Sequence, residues 1–185
     1  MIVERFEFYL KDGRIASVRS PEERDIQDML DFLYKSAGET EFIIRYPEEC
    51  GEYTVEKERE IIQRINKSDN EAMLVCLVDE KIVGSCVISW SNNLKTKHRA
   101  STAIVLLCEY WNLGIGTRLI QQVIKMAEEN KNIIQIELSF VEGNTRARAL
   151  YEKMGFKITG VKPNAIRLKD GTLLNEYAMI REIKR

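Results

Sequence analysis

The chain has 185 residues, of which 44% are hydrophobic and 31% are charged, and its formal net charge is −1. This length and composition are typical of one globular domain, residues 1–185, with a full core. A charge near zero argues against a nucleic-acid partner, and no apolar run reaches the roughly 20 residues of a membrane span. The N-terminal residues lack the basic and apolar segments of a secretory signal, so we expect a cytoplasmic protein.

Cysteine and histidine usage is consistent with this expectation. The four cysteines are widely spaced and form no C-x-x-C pair, which favours reduced thiols. His98 is the only histidine, and no cluster of metal-binding side chains surrounds it in the sequence. We therefore predict no metal site.

The first part of the chain predicts a hairpin and two helices. Two β-prone runs flank Lys11–Gly13, and Asp-Gly is a common hairpin turn. Ser20–Glu23 has the residues of a helix start, and the apolar stripe that follows predicts a helix ending near Gly38. We interpret residues 39–54 as a loop or a broken helix, and residues 55–66 as a second helix.

The middle of the chain predicts a parallel crossover. Strands are expected at 72–78, 82–90 and 100–107. The clearest amphipathic helix of the chain then begins near Gly116, and 134–140 alternates as a strand does. A strand, a long helix and a strand form a βαβ unit, so the two strands should be parallel.

The last part of the chain predicts a short helix and an antiparallel pair of strands. Asn144 can cap a helix that closes at Gly155. Phe156 begins two strands joined by the Asp-Gly turn at Lys169–Gly171. The predicted class is α/β: a mixed, mostly antiparallel sheet with a central parallel crossover and about four helices.

A Gly-x-Gly turn joins a strand to the amphipathic helix. Such a turn leaves N–H groups unpaired at the helix start, where the helix dipole favours a phosphate. A dinucleotide-binding turn would need a third glycine where the chain has Leu119. A P-loop would need Lys followed by Ser or Thr, where the chain has Thr117 and Arg118. What remains is a short loop that could hold a pyrophosphate.

A second motif gives this loop a more specific interpretation. Asn144–Phe156, together with Tyr110–Leu119, closely resembles the GNAT family of N-acetyltransferases. That family combines a (Gln/Arg)-x-x-Gly-x-(Gly/Ala) turn with a later helix that starts at Asn, carries a Tyr and closes on Gly-Phe. The predicted elements fit the GNAT fold from about Ser17 to Ile183, so the hairpin at about 4–19 is partly an addition. Trp111 departs from the pattern, since the family usually has Gln or Arg there.

The resemblance implies acetyl-CoA as co-substrate. The exposed backbone of Leu106 and Leu107 would pair with its pantetheine arm, and Asn144 would contact a pantetheine amide as well as cap its helix. The N–H of Leu106 would stabilise the oxyanion. Tyr151 would be the general acid that protonates the leaving thiolate. The pyrophosphate would be held by one continuous stretch: Asn112, Leu113, Gly114, Ile115, Gly116 and Thr117.

Several assignments stay open. Some relatives carry a Glu general base where this chain has Ser101 beside Thr102, so a water chain or an acid from 39–52 would have to serve. Phe42 and Tyr46 could line the acceptor pocket or anchor their loop on the core. Three basic residues could meet the CoA 3′-phosphate or be solvated helix charges: Arg146, Arg148 and Lys153.

The resemblance implies an N-acetyltransferase that works by direct attack of an amine in a ternary complex. A small-molecule amine or an amino acid is the first expectation for the acceptor. A peptide or protein amine, N-terminal or lysine, is the second, and a non-catalytic acyl-CoA sensor is the alternative of another class. A nucleotide-binding switch is disfavoured by the missing P-loop lysine. Exposed edge strands in the final antiparallel part would allow a homodimer.

Overall fold

The computed structural model of the chain describes residues 1–184. The strands are β1 (Phe6–Tyr9), β2 (Ile15–Arg19), β3 (Glu71–Val78), β4 (Lys81–Trp90), β5 (Arg99–Leu106), β6 (Gln135–Val141), β7 (Lys157–Arg167) and β8 (Leu173–Glu182). The α-helices are α1 (Ile26–Glu39), α2 (Val55–Lys67), α3 (Ile115–Glu129) and α4 (Thr145–Lys153). The strands form one sheet in the order β1-β2-β3-β4-β5-β6-β8-β7, in which only β5 and β6 are parallel. The predicted mixed α/β sheet with a parallel crossover is confirmed.

Helices cover both faces of the centre of the sheet. Leu74 and Cys76 of β3 pack into the cluster that contains the apolar stripe of α3. Val75 and Leu77, which alternate with them, pack into the cluster formed with α1 and α2. Because β3 is buried on both faces, its sequence is a continuous apolar run rather than an alternating one.

Most predicted boundaries agree with the structure to within one or two residues, but the start of α1 does not. The prediction that Ser20 begins this helix is wrong, because α1 begins at Ile26 after a 3-10 turn at Glu23–Asp25. The Ser20 hydroxyl instead accepts a hydrogen bond from the N–H of Val3 at 2.8 Å.

The parallel strands β5 and β6 separate soon after they meet. They pair only between Arg99–Ser101 and Gln135–Glu137. Beyond Ser101, β5 continues to pair with β4, and β6 continues beside β8. A gap therefore opens at the carboxyl ends of the parallel pair, which is where α/β sheets commonly bind ligands.

The described residues give no sign of a membrane span or a metal centre. Within residues 1–184, no helix has both the length and the apolar character needed to cross a bilayer. The same residues contain no group of three His, Cys, Asp or Glu side chains that could hold a metal ion. The β1 and β7 strands form the two edges of the sheet.

Candidate functional site

A cleft of about 450 Å³ lies in the gap between β5 and β6. One wall is the end of β5, and the other is the inner side of α4. The loop before α3 lies at its mouth, and Thr40, Phe42 and Ile43 cover it from the segment after α1. The lining from the two walls is largely apolar: Ile104, Val105, Leu106, Ala147, Leu150 and Tyr151.

The turn into α3 exposes unpaired backbone donors to this cleft. Asn112 has φ +64° and Gly114 has φ +101°, a conformation that glycine adopts without strain. The first hydrogen bond of the helix runs from the N–H of Arg118 to the carbonyl of Gly114, at 3.2 Å, and no side chain caps Gly114. The three preceding amides, of Ile115, Gly116 and Thr117, therefore have no partner within the helix, as an anion site requires.

Gly116, in the first turn of α3, lies close to Leu150 of α4. A Cβ atom there would stand 3.0 Å from a methyl carbon of Leu150 and 3.5 Å from a methyl carbon of Leu106. Both neighbours line the cleft. Because Gly116 has no side chain, the Leu150 side chain can pack against it.

The backbone N–H of β5 is available at Leu106 but not at Leu107. The Leu107 N–H donates to the carbonyl of Val83 at 3.0 Å, and the Leu107 carbonyl accepts from the N–H of Tyr110 at 3.0 Å. The prediction of an exposed backbone at Leu107 is therefore wrong. Because backbone groups alternate in direction along an antiparallel strand, the N–H groups of Leu106 and Ile104 point away from β4, toward the gap.

Trp111, the departure from the family pattern, joins the two walls of the cleft. Its indole N–H donates to the carbonyl oxygen of Leu106 at 3.0 Å. The guanidinium carbon of Arg146, on α4, lies 4.1 Å from the centre of the same ring. A cation is thus held at the mouth of the cleft, although it comes from α4 rather than from position 111 itself.

Asn144 and Tyr151 occupy the start and the inner side of α4. The Asn144 side chain accepts a hydrogen bond from the N–H of Ala147 at 3.1 Å, which confirms the predicted helix cap. Tyr151 is 5% exposed, and its ring packs between Phe140 and Phe156, with centroid distances of 6.4 and 5.9 Å.

The Tyr151 hydroxyl borders the cleft and is free to donate. Within residues 1–184 it has no hydrogen-bonding partner. Burial raises the pKa of Tyr151 above its usual value, and nearby Cys86 adds to the shift. A phenol with a raised pKa keeps its proton, so this hydroxyl can donate a hydrogen bond to a molecule bound in the cleft.

The charged side chains that line the cleft are all cationic. They are Lys11, Arg146 and Lys153, and no carboxylate of the described residues joins them. Arg148 instead forms an ion pair with Glu152 at 2.8 Å, on the outer side of α4. Such a lining favours an anionic ligand.

The segment after α1 crosses the cleft and is tied to the turn between β7 and β8. Phe42 packs beside Gly143, and a Cβ at that glycine would stand 3.6 Å from the ring. The Tyr46 hydroxyl accepts a hydrogen bond from the N–H of Lys169 at 3.0 Å. The Lys169 ammonium lies 4.2 Å from the centre of the Tyr46 ring and pairs with Glu48. Phe42 therefore lines the cleft, whereas Tyr46 attaches the segment after α1 to the turn between β7 and β8.

Ser101 and Thr102, which stand where some relatives carry a Glu general base, do not line the cleft. The Thr102 hydroxyl donates to the carbonyl of Val87 at 2.8 Å. Ser101 and Glu137 line a separate cavity of about 150 Å³. Glu137 accepts a hydrogen bond from Gln135 at 2.6 Å and lies 3.5 Å from Arg99.

Two features of the site were not predicted from the sequence. Lys11, on the first hairpin turn, is separated in sequence from every other element of the cleft, so no local signal indicated it. The pairing of Trp111 with Arg146 could have been suspected, because a missing cation in one motif was matched by a spare cation in the other.

Comparison with known protein families identifies the same two motifs. Residues 32–156, which include the turn into α3 and all of α4, match the acetyltransferase (GNAT) family. The chain belongs to that family. The match spans more than half of the chain and ends at Phe156, the last residue of the second motif.

Two curated relatives are N-acetyltransferases whose names differ in the acceptor group. An L-amino acid N-acetyltransferase from Escherichia coli is 28% identical over 108 residues, which cover 58% of this chain and 66% of the relative. An N-alpha-acetyltransferase from Sulfurisphaera tokodaii is 35% identical over 99 residues, 49% of this chain and 59% of the relative. The chain thus spans less than two thirds of either relative's length.

Solved structures extend the likeness over almost the whole fold. An acetyltransferase of the GNAT family from Streptococcus pneumoniae superposes with a TM-score of 0.83 at 25% identity, covering 91% of this chain and 99% of that one. A phosphinothricin acetyltransferase from Sinorhizobium meliloti, solved in complex with acetyl-CoA, has a TM-score of 0.77 at 16% identity and covers 91% and 88%. At this lower identity the second likeness shows the fold alone.

Proposed function

We propose that this protein is an acetyl-CoA-dependent N-acetyltransferase whose acceptor is the primary amine of a small molecule, such as an amino acid. The observation that carries the proposal is the cleft itself. It combines an unpaired helix N-terminus, free strand amides and a partner-free tyrosine hydroxyl along one continuous surface. These are the groups that a phosphorylated thioester needs for binding and for acyl transfer.

Each part of the cleft fits one part of acetyl-CoA. The amides at the start of α3, with Asn112 and Leu113 before them, suit the pyrophosphate. The outward amides of Ile104 and Leu106 suit the pantetheine arm and the thioester carbonyl, because they lie on an open strand edge. Asn144 uses its side-chain oxygen in the helix cap, which leaves its amide NH₂ for a pantetheine contact.

The proposed reaction joins the acceptor nitrogen to the acetyl carbon and breaks the carbon–sulfur bond. Bound acetyl-CoA would supply the activated acetyl group. An N–H of β5, from Leu106 or Ile104, would donate to the carbonyl oxygen as negative charge develops there. Tyr151 would give its proton to the departing sulfur and regain one from solvent. The acceptor must be a neutral amine, and its proton goes to water because no carboxylate of the described residues lines the cleft.

The covered cleft supports a small acceptor. Thr40, Phe42 and Ile43 line the cleft, and the segment that carries them is fastened to the β7–β8 turn by the Tyr46 and Glu48 contacts with Lys169. An extended polypeptide needs an open path on both sides of its reacting amine, whereas an amino acid can be enclosed. The E. coli relative, named for L-amino acids, is consistent with this proposal.

A peptide or protein amine is the second candidate. It is favoured by the S. tokodaii relative, which has the higher identity of the two and is named an N-alpha-acetyltransferase. For such an acceptor, the contacts of Tyr46 and Glu48 with Lys169 would have to open. These contacts are exposed, and exposed ion pairs contribute little to stability, so opening them would cost little free energy.

A thiol-release assay with acetyl-CoA separates these functions. The panel should contain free amino acids, simple amines, and peptides with a free N-terminus or a lysine. We expect release with amino acids or small amines. Release with peptides only would refute the small-molecule acceptor. Calorimetric binding of acetyl-CoA without release for any acceptor would favour a non-catalytic sensor.

The cover can be tested separately with Tyr46→Ala. The matched control is Tyr34→Ala, which removes a tyrosine that is 61% exposed and lies on α1. If the cover restricts the acceptor, Tyr46→Ala should raise peptide acetylation relative to amino acid acetylation. An unchanged ratio would show that the Tyr46 contact does not select the acceptor.

A further inference from the structure

The N-terminal hairpin is fixed against the phosphate-binding turn. The N–H of Lys11, at the tip of the hairpin, donates to the carbonyl of Leu113 at 3.1 Å. Leu10 beside it is 3% exposed and belongs to the main core. The backbone of Lys11 is thus held in place next to the start of α3.

Two further contacts fasten the hairpin to the same region. The guanidinium carbon of Arg14 lies 5.2 Å from the centre of the Tyr110 ring. From the other side, the guanidinium carbon of Arg118, on α3, lies 5.5 Å from the centre of the Phe8 ring. The hairpin therefore packs on both the loop that leads into α3 and the first turn of that helix.

The Lys11 ammonium is the uncompensated charge of this hairpin tip. Asp12 is occupied by Arg14, which donates from its backbone and its guanidinium at 3.1, 2.9 and 2.7 Å. Within residues 1–184 no carboxylate pairs with Lys11. Lys11 lines the cleft together with Asn112 and Gly114, and so do Gly116 and Thr117 at the start of α3.

We propose that Lys11 binds the pyrophosphate of coenzyme A, so that the N-terminal hairpin forms part of the donor site. The proposal rests on the acetyl-CoA-dependent function proposed above. A lysine and a helix N-terminus that converge on one place favour a phosphate group over an uncharged ligand. The match to the family begins at residue 32, so this contact comes from a part of the chain outside the family pattern.

The test compares Lys11→Ala with the wild type by calorimetry, using acetyl-CoA, acetyl-dephospho-CoA and S-acetylpantetheine. The first has a pyrophosphate and a 3′-phosphate, the second only the pyrophosphate, and the third neither. We expect Lys11→Ala to weaken both CoA compounds about three- to tenfold at low salt, and less at 0.5 M salt. S-acetylpantetheine should bind the variant and the wild type equally.

Two control variants keep the result specific to this charge. Lys11→Arg retains a cation and should bind acetyl-CoA within about twofold of the wild type. Lys95→Ala removes an exposed lysine from the loop between β4 and β5 and should have no effect. Since the docking contact uses the backbone N–H of Lys11, Lys11→Ala should unfold at the wild-type temperature.

Each other result would overturn a stated part of the proposal. Equal affinity of Lys11→Ala and the wild type for acetyl-CoA would refute the Lys11 contact and leave the proposed function intact. A loss confined to acetyl-CoA, with acetyl-dephospho-CoA unaffected, would move the contact to the 3′-phosphate and refute the pyrophosphate assignment. If the wild type itself bound no acetyl-CoA, the proposed function would fail, and the inference with it.

Discussion

The indole N–H of Trp111 donates a hydrogen bond to the carbonyl oxygen of Leu106, 3.0 Å away, at the point where β5 ends. The guanidinium carbon of Arg146, on α4, lies 4.1 Å from the centre of the same indole ring. The tryptophan therefore fixes the last residue of the strand and holds a cation near the start of α3. Trp111 takes the place of the Gln or Arg that is usual in the family and instead contacts a cation of α4.

Replacing Trp111 should weaken binding of the donor. Trp111→Leu removes both the hydrogen bond and the ring, which together contribute about 1–2 kcal/mol, so we expect the dissociation constant of acetyl-CoA to rise about tenfold. Trp111→Phe keeps a ring for Arg146 and should have the smaller effect. Calorimetry measures both. Trp90→Phe is the matched control because Trp90 does not line the cleft; wild-type affinity in Trp111→Leu would contradict the role.

Removing the Tyr151 hydroxyl should slow catalysis without affecting donor binding. The phenol is buried beside the cleft and has no partner within residues 1–184, so Tyr151→Phe leaves the packing intact. Loss of a general acid typically lowers kcat about 10²- to 10⁴-fold. Thiol release gives kcat, and calorimetry gives the affinity for acetyl-CoA.

Tyr177→Phe is the control for the loss of a phenol as such. Its ring stacks on Phe140 with a centroid distance of 5.2 Å, and Tyr177 does not line the cleft. This variant should keep the wild-type kcat. If Tyr151→Phe also kept it, another proton donor would be required.

The pH dependence of the rate should follow the acceptor rather than the enzyme. No carboxylate of the described residues lines the cleft, so the neutral amine must come from the acceptor's own ionisation. We expect kcat/KM to rise with pH up to the pKa of that amine. Burial, and secondarily Cys86, raises the pKa of Tyr151, so its proton is retained and no fall is expected below about pH 10.

Two acceptors with different amine pKa values test this expectation. The midpoint of the rise should move with the acceptor. A midpoint common to both acceptors would instead reveal a base on the protein. Glu137→Gln would then show whether the carboxylate of the small second cavity is that base.

The sequence predicted the features of the site that depend on neighbouring residues. The turn into α3 follows from two glycines, and the Asn144 cap follows from a side chain three residues before its partner N–H. The separation of β5 from β6 could not be predicted, because it depends on where β6 leaves its partner for β8.

The occupied backbone of Leu107 was missed for a similar reason. Its partner Val83 lies on another strand, and only the register between β4 and β5 brings the two together. The register also places Gly84 opposite Leu106, where a Cβ would clash with a Leu106 methyl carbon. Long-range pairing thus decides which amides and side chains of β5 reach the cleft.

Stability should depend on one buried ion pair. Arg19 binds both oxygens of Asp25, at 2.5 and 2.8 Å, and both side chains are 6% exposed. Asp25→Asn leaves the guanidinium buried without its partner, so we expect a loss of about 3 kcal/mol in the free energy of unfolding at pH 7. Urea unfolding measures it. Asp12→Asn, at the exposed pair with Arg14, should change little.

The same ion pair predicts that the free energy of unfolding decreases at acidic pH. Burial alone would raise the pKa of Asp25, but hydrogen bonds from Arg19 and from the N–H of Glu22 outweigh it and lower the pKa. A carboxyl whose pKa is lowered by folding stabilises the fold fully when the pH is above its pKa in the unfolded chain. It loses that contribution as the pH falls through its pKa in the folded protein. The wild type should therefore lose its advantage over Asp25→Asn below about pH 4. A constant difference down to pH 2 would contradict this.

A methyl group added at Gly116 should separate ligand binding from stability. In Gly116→Ala the new Cβ would stand 3.0 Å from a methyl carbon of Leu150, so that side chain must shift toward the cleft it lines. Alanine favours a helix over glycine by about 0.5–1 kcal/mol, which offsets the tight contact. We expect a nearly unchanged melting temperature and a dissociation constant for acetyl-CoA about three- to tenfold higher. Gly160→Ala, with nothing within 4 Å of its Cβ, should leave the affinity unchanged. If Gly116→Ala bound acetyl-CoA as tightly as the wild type, the space beside Leu150 would not be part of the donor site.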